Sequence, residues 1–146
     1  ANIANKNKAD LFISIHVNGT AKTSVQGTET FVLGDHRSKD NLEIVHKENS
    51  VILLEDDYKT TYEEYDPNST ESEIMFESVQ NEYLEQSIMF ASEIQTQFRQ
   101  NAKRMDRSVK QAGFLVLRQT TMPSVLVEVG FISHSKERNY LMSIRV

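Results

Sequence analysis

The chain reads as an α/β protein, a mixed β-sheet flanked by α-helices in a single domain, and three observations predict this. Short runs rich in Ile, Val, Leu and Phe recur at 11–17, 27–34, 113–118 and 124–130, too short and too β-branched for helices. A long stretch with helical spacing, from Phe76 to Phe98, separates the first two runs from the last two. Within each pair the connection is too short for a crossover helix, so paired runs are either antiparallel neighbours or not neighbours at all.

The bulk numbers fit one such domain. The 146 residues are 38% hydrophobic and 25% charged, enough to build one core. Sixteen Lys and Arg against 21 Asp and Glu give a net charge of -5, which argues against a nucleic-acid partner. Without cysteine, disulfides and thiolate metal sites are excluded. The sequence contains no run long enough for a membrane span and no secretory-signal pattern. It opens on Ala1, and residues 1–8 look like the tail of a helix, so the chain is expected to be a piece of a longer protein.

In order, Ala9 to Asn18 comes first. Its apolar run predicts a strand buried on both faces, with Leu11, Ile13, Ile15 and Val17 on one side and Phe12, Ser14 and His16 on the other. Asn18-Gly19 turns the chain. The next strand lies between Gly27 and Gly34, with Thr28, Thr30 and Val32 alternating against Glu29, Phe31 and Leu33. Ser38 is placed to cap a helix over about 39–55, with Leu42, Val45, Val51, Ile52 and Leu54 loosely on one face. Residues 55–68 are acidic, bear tyrosines and read as an irregular insertion. Thr70 and Glu73 form a capping box, and Phe76, Val79, Tyr83, Phe90, Ile94 and Phe98 then line a helical face widened by Leu84, Ile88 and Ala91. Unbroken from 71 to 102, that helix would be about 48 Å long in a domain with a radius of gyration of about 15 Å. A break is therefore expected near Gln80 and Asn81. Residues 101–111 are basic and polar. Residues 113–118 form the third strand, 124–130 the fourth, and a final helix with Tyr140 and Leu141 as its apolar positions starts near Ser133.

Chemistry concentrates at two strand ends. His16 lies at the carboxyl end of its strand, where ligand sites gather in α/β sheets. A histidine there binds a metal, moves a proton, or satisfies a backbone group. Glu128 repeats the pattern inside Val-Leu-Val-Glu-Val. A carboxylate in an apolar strand costs several kcal/mol unless it meets a cation, a metal or a raised pKa, and Arg118 is one conceivable ion-pair partner. If the two strands are parallel, both side chains emerge at one edge, and a metal-binding histidine beside a carboxylate base is a standard hydrolytic pairing. His36, His46 and His134 have the positions of surface residues. The sequence contains no HExxH, phosphate-binding glycine loop or GxSxG.

Four segments carry a family likeness: Ala9-Asp-Leu-Phe-Ile-Ser-Ile-His16-Val-Asn18, Gly27-Thr-Glu-Thr30, Val109 through Arg118, and Met122-Pro-Ser-Val-Leu-Val-Glu128-Val-Gly-Phe-Ile-Ser133. In order and spacing they resemble the zinc-dependent N-acetylmuramoyl-L-alanine amidases of bacterial cell walls, from residue 1 to about 141. The resemblance implies that residues 1–146 are a truncated amidase catalytic domain with an acidic insertion at about 48–68. It implies Zn2+ as cofactor, His16 as a zinc ligand and Glu128 as the catalytic carboxylate. The implied reaction is hydrolysis of the amide between the lactyl group of N-acetylmuramic acid and L-alanine, in peptidoglycan or a muropeptide. The implied location is the cell envelope, periplasmic or secreted, with an activator protein as a further partner.

The likeness is incomplete. Family members carry a first ligand in a strand reading like DPGHGG and a second, a Glu, on the following helix, and neither is in this sequence. A catalytic zinc ordinarily has three protein ligands and a water, so the chain alone is expected to bind zinc weakly and to be inactive. In some of these amidases a helical segment covers the zinc and donates a carboxylate to it. The stretch from Glu48 to Asp66 lies in that place, with Glu48 or Glu55 as the gating residue. Asn18 and Arg118, near strand ends, are candidates to border the substrate. The competing readings are a non-catalytic peptidoglycan-binding or regulatory module that keeps the amidase fold, and a scaffold in which His16 and Glu128 have ordinary partners.

Overall fold

The computed structural model describes residues 1–34, 39–50 and 83–143, with 39–43 described by backbone alone. His36, Glu55, the rest of the insertion past residue 50, the Thr70 capping box, the start of the long helix and its expected break lie outside the described residues.

A short helix α1 (Asn2–Lys6) leads into strand β1 (Phe12–Asn18) and strand β2 (Thr28–Leu33). Helix α2 (Lys39–Asn49) follows, then helix α3 (Leu84–Gln100) and strand β3 (Asp106–Ala112). The single turn α4 (Leu115–Arg118), strand β4 (Ser124–Phe131) and helix α5 (Ser135–Leu141) complete the order. The four strands form one mixed sheet in the order β1-β4-β2-β3. β1 runs parallel to β4 and β2 parallel to β3, and the two pairs meet antiparallel along β2 and β4. β1 and β2, consecutive in the chain, are not neighbours, as their short connection allows.

Each face of the sheet has its own core. The amphipathic stripe of α3 covers one, where Ala91, Leu84, Ile88, Ile94 and Phe98 pack on Val32, Val125 and Val127. On the other face Phe31, Leu33, Phe114, Leu117 and Leu126 close around Val45 of α2, with the Phe31 and Phe114 rings edge to face at 5.1 Å. β2 lies between these layers, and all six of its residues are buried. Its two threonines are therefore matched. The Gln95 amide of α3 lies 3.1 Å from Thr28 Oγ1 and 2.8 Å from Thr30 Oγ1.

Two sequence expectations are corrected. Residues 113–118 are not a strand. Leu115 to Arg118 make a helical turn that pushes Leu115 and Leu117 into the core, and the third strand is the preceding polar stretch, Asp106 to Ala112. An apolar run of this length looks the same as a buried strand or a buried turn. β1 is not buried on both faces either. It is an edge strand among the described residues, and α3 packs on β2, β3 and β4. Ile13 and Val17 are consequently exposed, and Ile15 is 71% exposed.

Candidate active site

Parallel pairing sets His16 directly beside Glu128. Cross-strand partners point to the same face, so the imidazole and the carboxylate emerge together. Glu48, in the last turn of α2, reaches the same spot from above the sheet, with its Oε2 2.7 Å from His16 Nδ1. One donor atom from each of the three residues lies within 4.8 Å of the other two.

The electrostatics are uneven. His16 and Glu48 favour each other's charged form: their hydrogen bond raises the imidazole pKa above 6.5 and lowers the carboxyl pKa below 4.5, against the opposing effect of burial. Glu128 is 0% exposed and neither of its oxygens has a hydrogen-bond partner among the described residues. Desolvation, reinforced by the Glu48 charge, pushes its pKa from 4.5 up to about 7. An orphaned, buried carboxylate beside an imidazole and a second carboxylate is a donor set that suits a divalent cation.

The other sequence candidates fall on either side of this centre. Asn18, 3% exposed, ends β1. Its side-chain oxygen accepts from Gly19 N at 2.7 Å, and its Nδ2 is buried without a partner among the described residues. Arg118 closes α4, beside Gln119, whose carbonyl accepts from Asn5 Nδ2 at 2.6 Å near the start of β1. It makes no hydrogen bond to Glu128. His46 is exposed on α2, and His134 Nδ1 caps α5 by accepting from Glu137 N at 3.3 Å.

Glu29 went unnoticed in the sequence. It is 1% exposed and stands opposite Glu128 across the β2–β4 ladder. Arg107 Nε and Lys110 Nζ both donate to its Oε1, at 2.6 and 2.8 Å, while Oε2 has no partner among the described residues. Residues three apart on a regular strand face opposite sides. Arg107 and Lys110 share a side because β3 bulges: Thr28 and Thr30 pair with Asp106 and Val109, so β3 holds one more residue than β2, and Ser108 takes φ 76°. The entry to β2 is fixed by Gly27 at φ 114°, where a Cβ would meet Met105 O at 2.6 Å. The signal was present: an acid on the same strand face as Phe31 and Leu33 poses the problem that singled out Glu128.

A mixed sheet that gathers a histidine and two carboxylates toward the carboxyl ends of two parallel strands defines a class, the α/β domains with a donor set for a divalent metal. Within that class, the chain belongs to the Amidase_3 family, N-acetylmuramoyl-L-alanine amidase, whose model matches residues 1–145. It is 29% identical over 141 residues to the N-acetylmuramoyl-L-alanine amidase AmiA of Escherichia coli K12, covering 95% of this chain and 47% of that protein. To the N-acetylmuramoyl-L-alanine amidase LytC of Bacillus subtilis it is 29% identical over 134 residues, covering 92% of this chain and 18% of LytC. The fold matches that of the N-acetylmuramoyl-L-alanine amidase of Clostridium difficile 630, with a TM-score of 0.59 at 21% identity, over 98% of this chain and 52% of that one. It also matches AmiC2 of Nostoc punctiforme, with a TM-score of 0.56 at 21% identity, over 97% of this chain and 52% of that one. The chain thus spans about half the length, or less, of the relatives it matches.

Proposed function

We propose that residues 1–146 belong to the catalytic domain of a zinc-dependent amidase that hydrolyses the bond between N-acetylmuramic acid and L-alanine in peptidoglycan. The observation that carries this reading is Glu128: fully buried, unpaired through both oxygens among the described residues and set beside His16 and Glu48. In this reading His16 holds the zinc, together with ligands from outside this sequence. Zinc, when bound there, supplies a Lewis acid that polarises the scissile carbonyl and acidifies water. Glu128 is the proton carrier. It takes a proton from the attacking water and returns it to the departing amine of L-alanine, the role of a positioned general acid–base.

Glu48 is the gate. Its contact with His16 occupies donor capacity that catalysis needs, and it sits where α2 leads into the acidic insertion at 48–68. Action on peptidoglycan places the protein in the periplasm or outside the cell, and a gated site calls for an activator protein to move the insertion. Among the described residues no helix is long and apolar enough to cross a membrane.

The test uses the full-length, zinc-loaded protein on purified muropeptides, reading the release of peptides with a free L-alanine amine. Glu128→Gln is expected to retain zinc and to lose activity by about 100-fold or more. Retention of zinc and of near-full hydrolysis by this variant would remove Glu128 from the mechanism. Affinity for peptidoglycan with no hydrolysis by the wild type would favour a binding or regulatory module instead.

A further inference from the structure

Lined by Asn18, two residues beyond His16, and by Glu29, the cross-strand partner of Glu128, lies a cavity of about 330 Å³ that the proposed chemistry does not use. Its walls include four cationic side chains, Lys22, Lys47, Arg107 and Lys110, against one carboxylate, Glu29. This is a local reversal of sign in a chain of net charge -5. Asn18 and Glu29 each hold a buried polar atom without a partner among the described residues: the Asn18 Nδ2 donor and the Glu29 Oε2 acceptor. Unmatched groups of both kinds inside a cationic cavity call for a ligand that supplies both complements. Arg107 is held between Glu29 and the Phe131 ring, 5.3 Å from its guanidinium, and Lys47 Nζ lies 3.4 Å from Gly19 O.

The geometry points to a subsite for a peptide carboxylate, resting on the amidase reading above: the cavity takes the free carboxylate of the second stem-peptide residue, the one after L-alanine. The carboxylate accepts from the lysines, Arg107 and Asn18 Nδ2, and a peptide N–H donates to Glu29 Oε2. The span agrees. Asn18 lies two residues beyond His16, roughly 7 Å along a strand, and a carboxylate two residues from the cleaved bond lies about 7 Å from it in an extended peptide. Charge-assisted bonds in a partly buried cavity discriminate strongly between a carboxylate and its neutral carboxamide. The enzyme would therefore prefer stem peptides whose second residue is a free acid over amidated ones.

The experiment uses the full-length protein carrying Glu128→Gln, so that ligands stay intact. Calorimetry compares muramoyl dipeptides that differ only in a carboxylate or a carboxamide on the second residue. About tenfold tighter binding of the carboxylate form is expected, with the preference shrinking several-fold in Lys47→Met and Lys22→Met. Equal affinities, binding of neither ligand, or a preference untouched by both substitutions would overturn the subsite. Wild-type hydrolysis of both dipeptides is measured in parallel. Hydrolysis without carboxylate preference removes the subsite and leaves the amidase reading standing. Carboxylate-selective binding without hydrolysis does the reverse.

Discussion

A carboxyl group sealed from water with neither oxygen paired keeps its proton to unusually high pH, and Glu128 does so to about 7 instead of 4.5. Between those values the folded chain binds a proton that the unfolded chain has released. The stabilising contribution of Glu128 is therefore complete below pH 4.5 and is lost as pH rises through about 7. At about 1.36 kcal/mol per pH unit the loss amounts to roughly 3 kcal/mol. The His16–Glu48 pair behaves differently. Its contribution is whole between pH 4.5 and 6.5, falls as pH drops through the lowered Glu48 pKa, and falls again as pH rises through the raised His16 pKa. Urea denaturation of the full-length protein, stripped of metal by a chelator, is expected to show stability declining from pH 6 to pH 8. Glu128→Gln should recover up to about 3 kcal/mol at pH 8, because the amide never ionises. A variant no more stable than wild type at pH 8 would mean that the Glu128 pocket is wet. His16 and Glu128 were readable from sequence because each interrupts an apolar strand. Glu48 was named only as a gating candidate by family likeness, since nothing in its own surroundings on an amphipathic helix marks it.

At the scale of elements, β2 shows how polar residues are carried through a core. Gln95 on α3 serves both Thr28 and Thr30. Gln95→Leu removes the Thr30 hydroxyl's partner and leaves the Thr28 hydroxyl only its 3.5 Å bond to the Met105 carbonyl, and it should cost about 1–3 kcal/mol in the same denaturation assay; a change under about 0.5 kcal/mol would show the contacts to be expendable. β3 was illegible for a physical reason. Its side chains are partly exposed and its bulge at Ser108 breaks the alternation that announces a strand. The apolar Leu115–Leu117 run beside it drew the assignment because it is buried as a helical turn. The long helix was legible from its stripe at Leu84, Ile88, Phe90, Ala91, Ile94 and Phe98, since packing on β2 and β4 requires that stripe. If α2 presents Glu48 as a gate, deleting residues 50–66 from the full-length enzyme should raise basal muropeptide hydrolysis several-fold. Unchanged activity would discard gating while leaving Glu128 in its role.

At the scale of the whole molecule, the site arises from topology. β1 and β4 are far apart in sequence but adjacent and parallel in the sheet, and that adjacency brings an imidazole and a carboxylate to one edge. The mixed sheet was deducible from short connections, yet the strand order was not, because connection length excludes neighbours without choosing them. For the same reason the exposure of the Ile13, Ile15 and Val17 face could not be read from an apolar pattern that suits a central strand equally well. The central claim is that His16 holds a zinc ion directly beside Glu128. Its most direct test is the anomalous difference map of full-length protein crystals collected at the zinc absorption edge. The expected result is a single strong peak in contact with the His16 imidazole and beside Glu128, absent from His16→Ala crystals. A zinc peak elsewhere in the domain, or one that survives His16→Ala, would contradict it.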